Sequence, residues 1–314
     1  MNFYFAPMEG LTDSVYRALH HKYFSGVDRY YMPFMSPTVH RALTPREARE
    51  LPKADSVGFK AVPQLLTKVP EDFIWAASVC RDLGYEEVNL NLGCPSGTVT
   101  AKGKGSGMLR DPAALDRFLE EIFSGTDLPI SVKTRLGFTS PDEFPALLEI
   151  YNQYPIRELT IHPRVRNDFY KGSVDIESFR YCLAHSKAPV CYNGNLTTLR
   201  QIEAFREAFP EVQSVMLGRG LIGDPGMLTP GGTTVEALEP FMEELLQRYS
   251  LVFGSQRNAM FRLKESWHLL CCRFQDSEKL TKKLRKTTDF QEFRSITAQI
   301  LHTLALAPEL QADW

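Results

Sequence analysis

Long apolar runs are missing from this chain. No uninterrupted stretch approaches the about 20 residues that a membrane-spanning helix needs, so a helical membrane protein is not expected. The first residues, MNFYFAPMEG, carry no basic segment and reach a proline and a glutamate at once. That does not fit a secretory leader and reads as the first strand of a cytoplasmic protein. The six cysteines (Cys80, Cys94, Cys182, Cys191, Cys271, Cys272) include no CxxC pair, which argues against a zinc site. Without a leader, a disulfide framework is not expected either. No metal is expected. The first strand is followed by APMEGLTD, which lacks the GxGxxG spacing of a dinucleotide-binding turn. Internal repeats and low-complexity segments are absent, and the net charge of −2 gives no global basic excess.

Short β-type runs are what the chain does have: Phe3–Met8, Asp28–Phe34, Lys60–Leu65, Glu87–Leu92, Pro129–Lys133, Arg157–Ile161, Pro189–Asn193 and Gln213–Gly218. Several are continuous apolar stretches, as buried parallel strands require. Helical patterns fall between most of them. Ser14–Tyr23 follows Asp13, a good N-cap; Glu71–Leu83 follows Pro70; Pro112–Phe123 follows Asp111 with proline at the first helical position. Glu143–Tyr151, Ile176–His185 and Thr198–Phe209 continue the alternation, and the unit around Pro45–Leu51 is the shortest. Eight strands alternating with helices over about 230 residues predict an α/β fold, a (β/α)8 TIM barrel. The stretch LIGDPGMLTPGG, Leu221–Gly232, ends the alternation. Beyond it Val235–Phe253, Asn258–Cys272, Ser277–Lys286 and Asp289–Leu306 read as a small helical bundle. The expected division is a barrel domain over 1–232 and a helical domain over 233–314.

In such barrels the chemistry sits at the C-terminal strand ends. Those ends carry Glu9 with Pro7 and Met8, Gln64, Asn89 and Asn91, Lys133 and Arg135, His162 and Arg164, Asn193-Gly194-Asn195, and Gly218-Arg219-Gly220. Singly, each is more often a loop hydrogen-bonder; together they converge on one rim. The last two loops suit a phosphate-bearing ligand, with glycines for close approach and the Arg219 fork for the anion. One such ligand is flavin mononucleotide (FMN), with Lys133 at its N1–C2=O edge and Gln64 and Asn91 on its pyrimidine side. Cys94 stands in NLNLGCPSGTVTAKGKGSGML, residues 89 to 109. A thiol there can be packing, a disulfide half, a metal ligand, a nucleophile or an acid. Between Arg257 and Arg294, ten Lys/Arg stand against five Asp/Glu, which suggests a polyanionic partner or a solvated face.

APMEGLTD, PQL at Pro63–Leu65, NLNLGCP at Asn89–Pro95, the Lys102–Gly107 loop, SVKTRLG at Ser131–Gly137, IHPR at Ile161–Arg164, NGN and LGRG together resemble the tRNA-dihydrouridine synthases, in order and over almost the whole chain. The resemblance implies an FMN enzyme with NADPH (or NADH) as transient reductant, reducing the 5,6 double bond of a D-loop uridine in tRNA. It implies Cys94 as the catalytic acid. Pro7, Met8, Gln64, Asn91, Lys133, His162, Asn193, Gly194, Asn195, Gly218 and Arg219 are implied as cofactor contacts. Asn91, Arg135 and Arg164, with Lys102, Lys104, Lys282, Lys283 and Lys286, are implied on the substrate or tRNA side. A monomer without an obligate protein partner is expected. Two departures stand out: His162-Pro163-Arg164 where the family often has HGR, and Asn193-Gly194-Asn195 where it often has NGD. The nearest alternative is an FMN barrel acting on a free pyrimidine, of the dihydroorotate dehydrogenase kind. A non-catalytic RNA-binding barrel is the alternative outside enzymes.

Overall fold

The structure is a computed structural model and describes residues 1–311. Its strands are β1 (Asn2–Phe5), β2 (Arg29–Tyr31), β3 (Ala61–Val62), β4 (Gln64–Leu65), β5 (Val88–Leu92), β6 (Ile130–Gly137), β7 (Leu159–Val165), β8 (Val190–Tyr192) and β9 (Ser214–Leu217). All pair in parallel, in the order β3-β2-β1-β9-β8-β7-β6-β5-β4. β3 and β4 are two halves of the one strand expected over Lys60–Leu65, split at Pro63, which has no N–H to give the ladder. Its carbonyl still accepts from Asn89 N at 2.8 Å, while Met32 N and Met35 N donate to Val62 O and Gln64 O. The split strand thus bonds on both sides, and the sheet is an eight-stranded barrel.

The helices are α1 (Ser14–Tyr23), α2 (Pro45–Glu50), α3 (Pro70–Asp82), α4 (Gly97–Thr100), α5 (Pro112–Gly125), α6 (Phe144–Tyr151), α7 (Ile176–His185), α8 (Leu199–Ala208), α9 (Arg219–Gly223), α10 (Val235–Phe253), α11 (Gln256–Leu270), α12 (Glu278–Lys286) and α13 (Phe290–Thr303). Their starts follow local chemistry. Asp13 Oδ1 accepts from Tyr16 N and Asp111 Oδ1 from Ala114 N, each satisfying an otherwise unpaired first-turn donor. Thr44 and Glu47 cap each other in a capping box, which is how so short a helix as α2 holds its start. The helical end of the chain rests on α1. Phe241 of α10 packs edge-on against Tyr16 and Phe24, with ring centroids 5.6 Å and 5.1 Å away. Tyr249 and Arg262 both donate to the Asp13 carboxylate, at 2.9 Å and 2.7 Å. Among the described residues no helix is long and apolar enough to cross a membrane.

Two strands run further than their sequence patterns suggest. β6 continues to Gly137 and β7 to Val165, so Arg135, His162 and Arg164 stand within strands rather than in loops beyond them. Pro163 is tolerated there because the last β7–β8 pair is Ile161–Tyr192, and the β6 side has a bulge between Arg135 and Gly137. Within the Lys102–Gly107 loop a 3-10 turn begins at Gly105, runs to Arg110 and buries Gly105 to Leu109.

Candidate active site

The barrel mouth opens into a cavity of about 520 Å³. β1 delivers Pro7, Met8 and Glu9 to it; β4 and β5 deliver Gln64 and Asn91; the turn after β5 adds Gly93, Cys94 and Pro95. β6 and β7 supply Lys133, Arg135 and His162, and the loops after β8 and β9 supply Asn193, Gly194, Asn195, Gly218 and Arg219. Every residue expected to contact a cofactor therefore lines one cavity, together with Cys94 and Arg135.

Cys94 is held from both sides. Asn91 Oδ1 accepts from Gly93 N at 3.1 Å and Cys94 N at 2.9 Å, which shapes the turn after the strand. The following segment folds back, and the Ser106 hydroxyl donates to Cys94 O at 2.7 Å. Gly105 makes that return possible: its φ is +58°, and a Cβ there would come within 3.0 Å of Cys94 Cβ. Burial raises the thiol's pKa above its ordinary value, opposed by a backbone hydrogen bond at Ser96 and by the charges of Arg135 and Lys133. This shift favours the protonated thiol over the thiolate.

Positive charge is concentrated around the cavity. Lys133 is surrounded by protein except towards the opening, and its pKa is pulled down to about 7, by desolvation first and by Arg135 second. Arg219 is shifted downward by burial and then by Arg164. His162 is lowered well below its usual value by burial, with Arg135, Lys133, Arg164 and Arg219 adding to it. Arg164 Nη1 donates to His162 Nε2 at 2.9 Å, which places the neutral ring's proton on Nδ1. Among the described residues of the cavity wall Glu9 alone is acidic, and it is ion-paired with Arg46. A pocket with this balance suits an anion that enters from outside. The loop after β8 has the matching shape: a Cβ on Gly194 would lie 2.1 Å from the Tyr192 hydroxyl, so only glycine lets backbone line the wall there.

Six expected contacts do not line the cavity. Arg164 is buried behind it, and its guanidinium donates to His162 Nε2, Lys171 O and Gly172 O. Lys104 Nζ donates to Ser36 at 3.1 Å, Lys102 is exposed, and Lys282, Lys283 and Lys286 are exposed on α12. Conversely Phe34, Phe169 and Tyr170 line the cavity without having been expected. Tyr170 stacks near His162 with centroids 6.0 Å apart and lies 5.3 Å from the Arg135 guanidinium and 5.6 Å from that of Arg219. Phe169 has φ +53°, rare outside glycine. Two adjacent aromatics in a loop outside any periodic pattern are the signal that could have found them.

The geometry has counterparts among known proteins. The family profile described as dihydrouridine synthase (Dus) matches residues 4–309. The chain is 29% identical over 222 residues to tRNA-dihydrouridine synthase B of Proteus vulgaris, covering 70% of this chain and 67% of the relative. It is 26% identical over 279 residues to tRNA-dihydrouridine synthase B of Pasteurella multocida, covering 85% and 83%. Among solved structures, morphinone reductase matches with TM-score 0.51 and 12% identity, over 72% of this chain and 84% of its own. A variant of NCR from Zymomonas mobilis matches with TM-score 0.50 and 13% identity, over 77% and 86%. These two likenesses speak for the barrel fold. With the family profile matching nearly end to end, the chain belongs to the dihydrouridine synthase family.

Proposed function

We propose that this chain is an FMN-dependent tRNA-dihydrouridine synthase, reducing the C5–C6 double bond of a D-loop uridine with NADPH (or NADH) as the transient reductant. The observation that carries the reading is a proton-bearing thiol and a cluster of buried cations facing one cavity that has a single, already paired, carboxylate. The names of the Proteus and Pasteurella relatives supply the tRNA substrate.

FMN fits this cavity. Arg219, Gly218 and Asn193 to Asn195 would hold its phosphate; Lys133, Gln64 and Asn91 its pyrimidine edge; Pro7 and Met8 the neighbouring wall. FMN bound there would supply the hydride for C6 of the uracil. Cys94 gives its proton to C5, so that one hydride and one proton saturate the bond, and the raised thiol pKa keeps that proton in place at neutral pH. Asn91 joins the two halves of the site, since its carboxamide fixes Cys94 N and lines the cavity. Lys133 and Arg135 oppose negative charge developing on the reacting base. The target nucleotide must leave its stack to enter a cavity this deep.

We assign residues 1–232 to the catalytic barrel and 233–314 to a tRNA-recognition unit, of which residues 312–314 lie outside the described ones. Lys282 and Arg285 border a depression on that unit, beside His268, Thr281 and the single carboxylate of Glu278, where the two cations would meet a phosphate backbone. Arg135, Lys102 and Lys104 complete the tRNA side, and the protein works as a cytoplasmic monomer. The test is the purified protein supplied with NADPH and, separately, unmodified tRNA, free uracil or orotate. A bound flavin spectrum and dihydrouridine on tRNA alone are expected. Turnover of the free pyrimidines would instead identify a small-molecule enzyme, and a colourless, flavin-free protein would overturn the proposal.

A further inference from the structure

A chain of buried polar side chains runs from the barrel floor to Cys94. Glu87, the residue just before β5, alternates with Asn89 and Asn91 within it, so all three face the barrel interior. The Glu87 carboxylate takes Arg29 Nη1 at 3.0 Å and Arg157 Nε at 2.9 Å on one oxygen and the Ser131 hydroxyl at 2.8 Å on the other. Asn89 Nδ2 donates to Ser131 Oγ at 3.0 Å, Gln64 Nε2 to Asn89 Oδ1 at 2.7 Å, and Asn91 Nδ2 to Gln64 Oε1 at 2.8 Å. Asn91 Oδ1 then accepts from Gly93 N and Cys94 N. Gln64, Asn89 and Ser131 are register partners on adjacent strands and are almost completely buried.

The direction of this chain is fixed at both ends, above by the Gly93 and Cys94 N–H groups, which can only donate to Asn91, and below by Glu87. A carboxylate can only accept, so Ser131 must donate to it and must accept from Asn89. Each carboxamide above is then forced into one of its two orientations. Both amide oxygens that belong to the cavity, those of Gln64 and Asn91, are thereby occupied. Their nitrogens each keep a second N–H, so the wall offers donors to a ligand and a fixed acceptor to the Cys94 turn.

We propose that Glu87 is a positioning residue for the active site, setting through Ser131 and Asn89 the orientation of Gln64 and Asn91 about 13 Å away along the strand. The inference rests on the FMN reading of the cavity only for what the donors meet. Glu87→Gln preserves shape but not direction. Its amide oxygen must face Arg29 and Arg157, so its nitrogen faces Ser131 and the hydrogen-bond chain is driven to reverse. Complete reversal would set the Asn91 nitrogen against the Gly93 and Cys94 N–H groups, so a mismatch stays trapped near the site.

The test is a cycle of Glu87→Gln, Ser131→Ala and the double variant in the full chain. FMN affinity is measured by fluorescence titration. The iodoacetamide reaction of Cys94 in FMN-free protein is followed by peptide mass spectrometry. Glu87→Gln should weaken FMN about tenfold, the scale of one unmatched buried hydrogen bond, and speed Cys94 alkylation several-fold. Ser131→Ala cuts the chain and should act in the same sense, and Glu87→Gln should add nothing on that background. Glu87 would be only a floor support for its arginines if Glu87→Gln lowered the melting temperature but left FMN affinity and Cys94 reactivity unchanged. Multiplying effects in the double variant would also overturn the proposal. Should Glu87→Gln fail to fold, an unchanged alkylation rate in Ser131→Ala overturns it alone. Should the wild type bind no FMN, the functional reading falls while alkylation still decides the relay.

Discussion

The molecule holds positive charge in two ways. At the barrel mouth Lys133, Arg135 and Arg219 are desolvated, lie near one another, and have their pKa values pushed down by burial. On α12, Lys282, Lys283 and Lys286 point to solvent, and Lys283 pairs with Glu292 at 3.2 Å. Buried like charges are unfavourable in the empty protein and become favourable when an anion of matching shape arrives. Exposed ones already have water and counterions and contribute a diffuse, salt-sensitive attraction. The first arrangement selects one ligand, and the second gathers any polyanion.

Replacing the buried cations should do the most damage. Lys133→Met combined with Arg219→Ala is expected to weaken FMN on the order of 10³-fold in fluorescence titration, since two charge-assisted contacts are lost. A middle-sized effect is expected from pH. In the free protein the Lys133 ammonium is present below about 7 and lost above it, whereas a bound anion favours the charged form. FMN affinity should be constant below about 7 and fall with rising pH, by about tenfold per unit, until the Lys133 pKa of the complex is reached. The FMN-free protein should respond oppositely. Above about 7 the unfolded chain holds a proton that the folded Lys133 has released, so its stability to denaturant should rise with pH. The smallest effect is expected on α12. Changing Lys282, Lys283 and Lys286 to Ala should weaken tRNA binding several-fold, lower the salt slope by about 2, and leave FMN affinity unchanged. An unchanged slope would show those lysines to be only a solvated face.

The barrel was legible because its parallel strands are short, apolar and punctuated by capped helices, as at Asp13 and Asp111. The cavity was legible because glycine, asparagine and cationic residues at successive strand ends have no packing reason to gather there. Arg164 was not, because its guanidinium is occupied by His162 and by carbonyls seven and eight residues on, a fold-back that spacing does not encode. Nor was Phe34, which a sequence cannot separate from a core aromatic; Phe169 and Tyr170 stand together outside any periodic pattern, a signal that marks them as odd without placing them at the cavity. The packing duty of Gly105 and Gly107 in the Lys102–Gly107 loop is not visible in the sequence either: a Cβ on Gly107 would meet the Thr100 backbone at 2.9 Å. The alternation Glu87-Asn89-Asn91 was visible in the sequence, but its direction as a hydrogen-bond chain needed Ser131 and Gln64 from neighbouring strands.

The central claim is that Cys94 is the proton donor of a flavin-bearing cavity. Wild-type protein and Cys94→Ala, each carrying pre-reduced flavin, are mixed with unmodified tRNA in the absence of air, and flavin absorbance is followed alongside dihydrouridine. The wild type should regain the oxidised spectrum in step with dihydrouridine, while Cys94→Ala, still loaded with flavin, should react about 10²-fold to 10⁴-fold more slowly. Reoxidation of Cys94→Ala by tRNA at the wild-type rate would contradict the account.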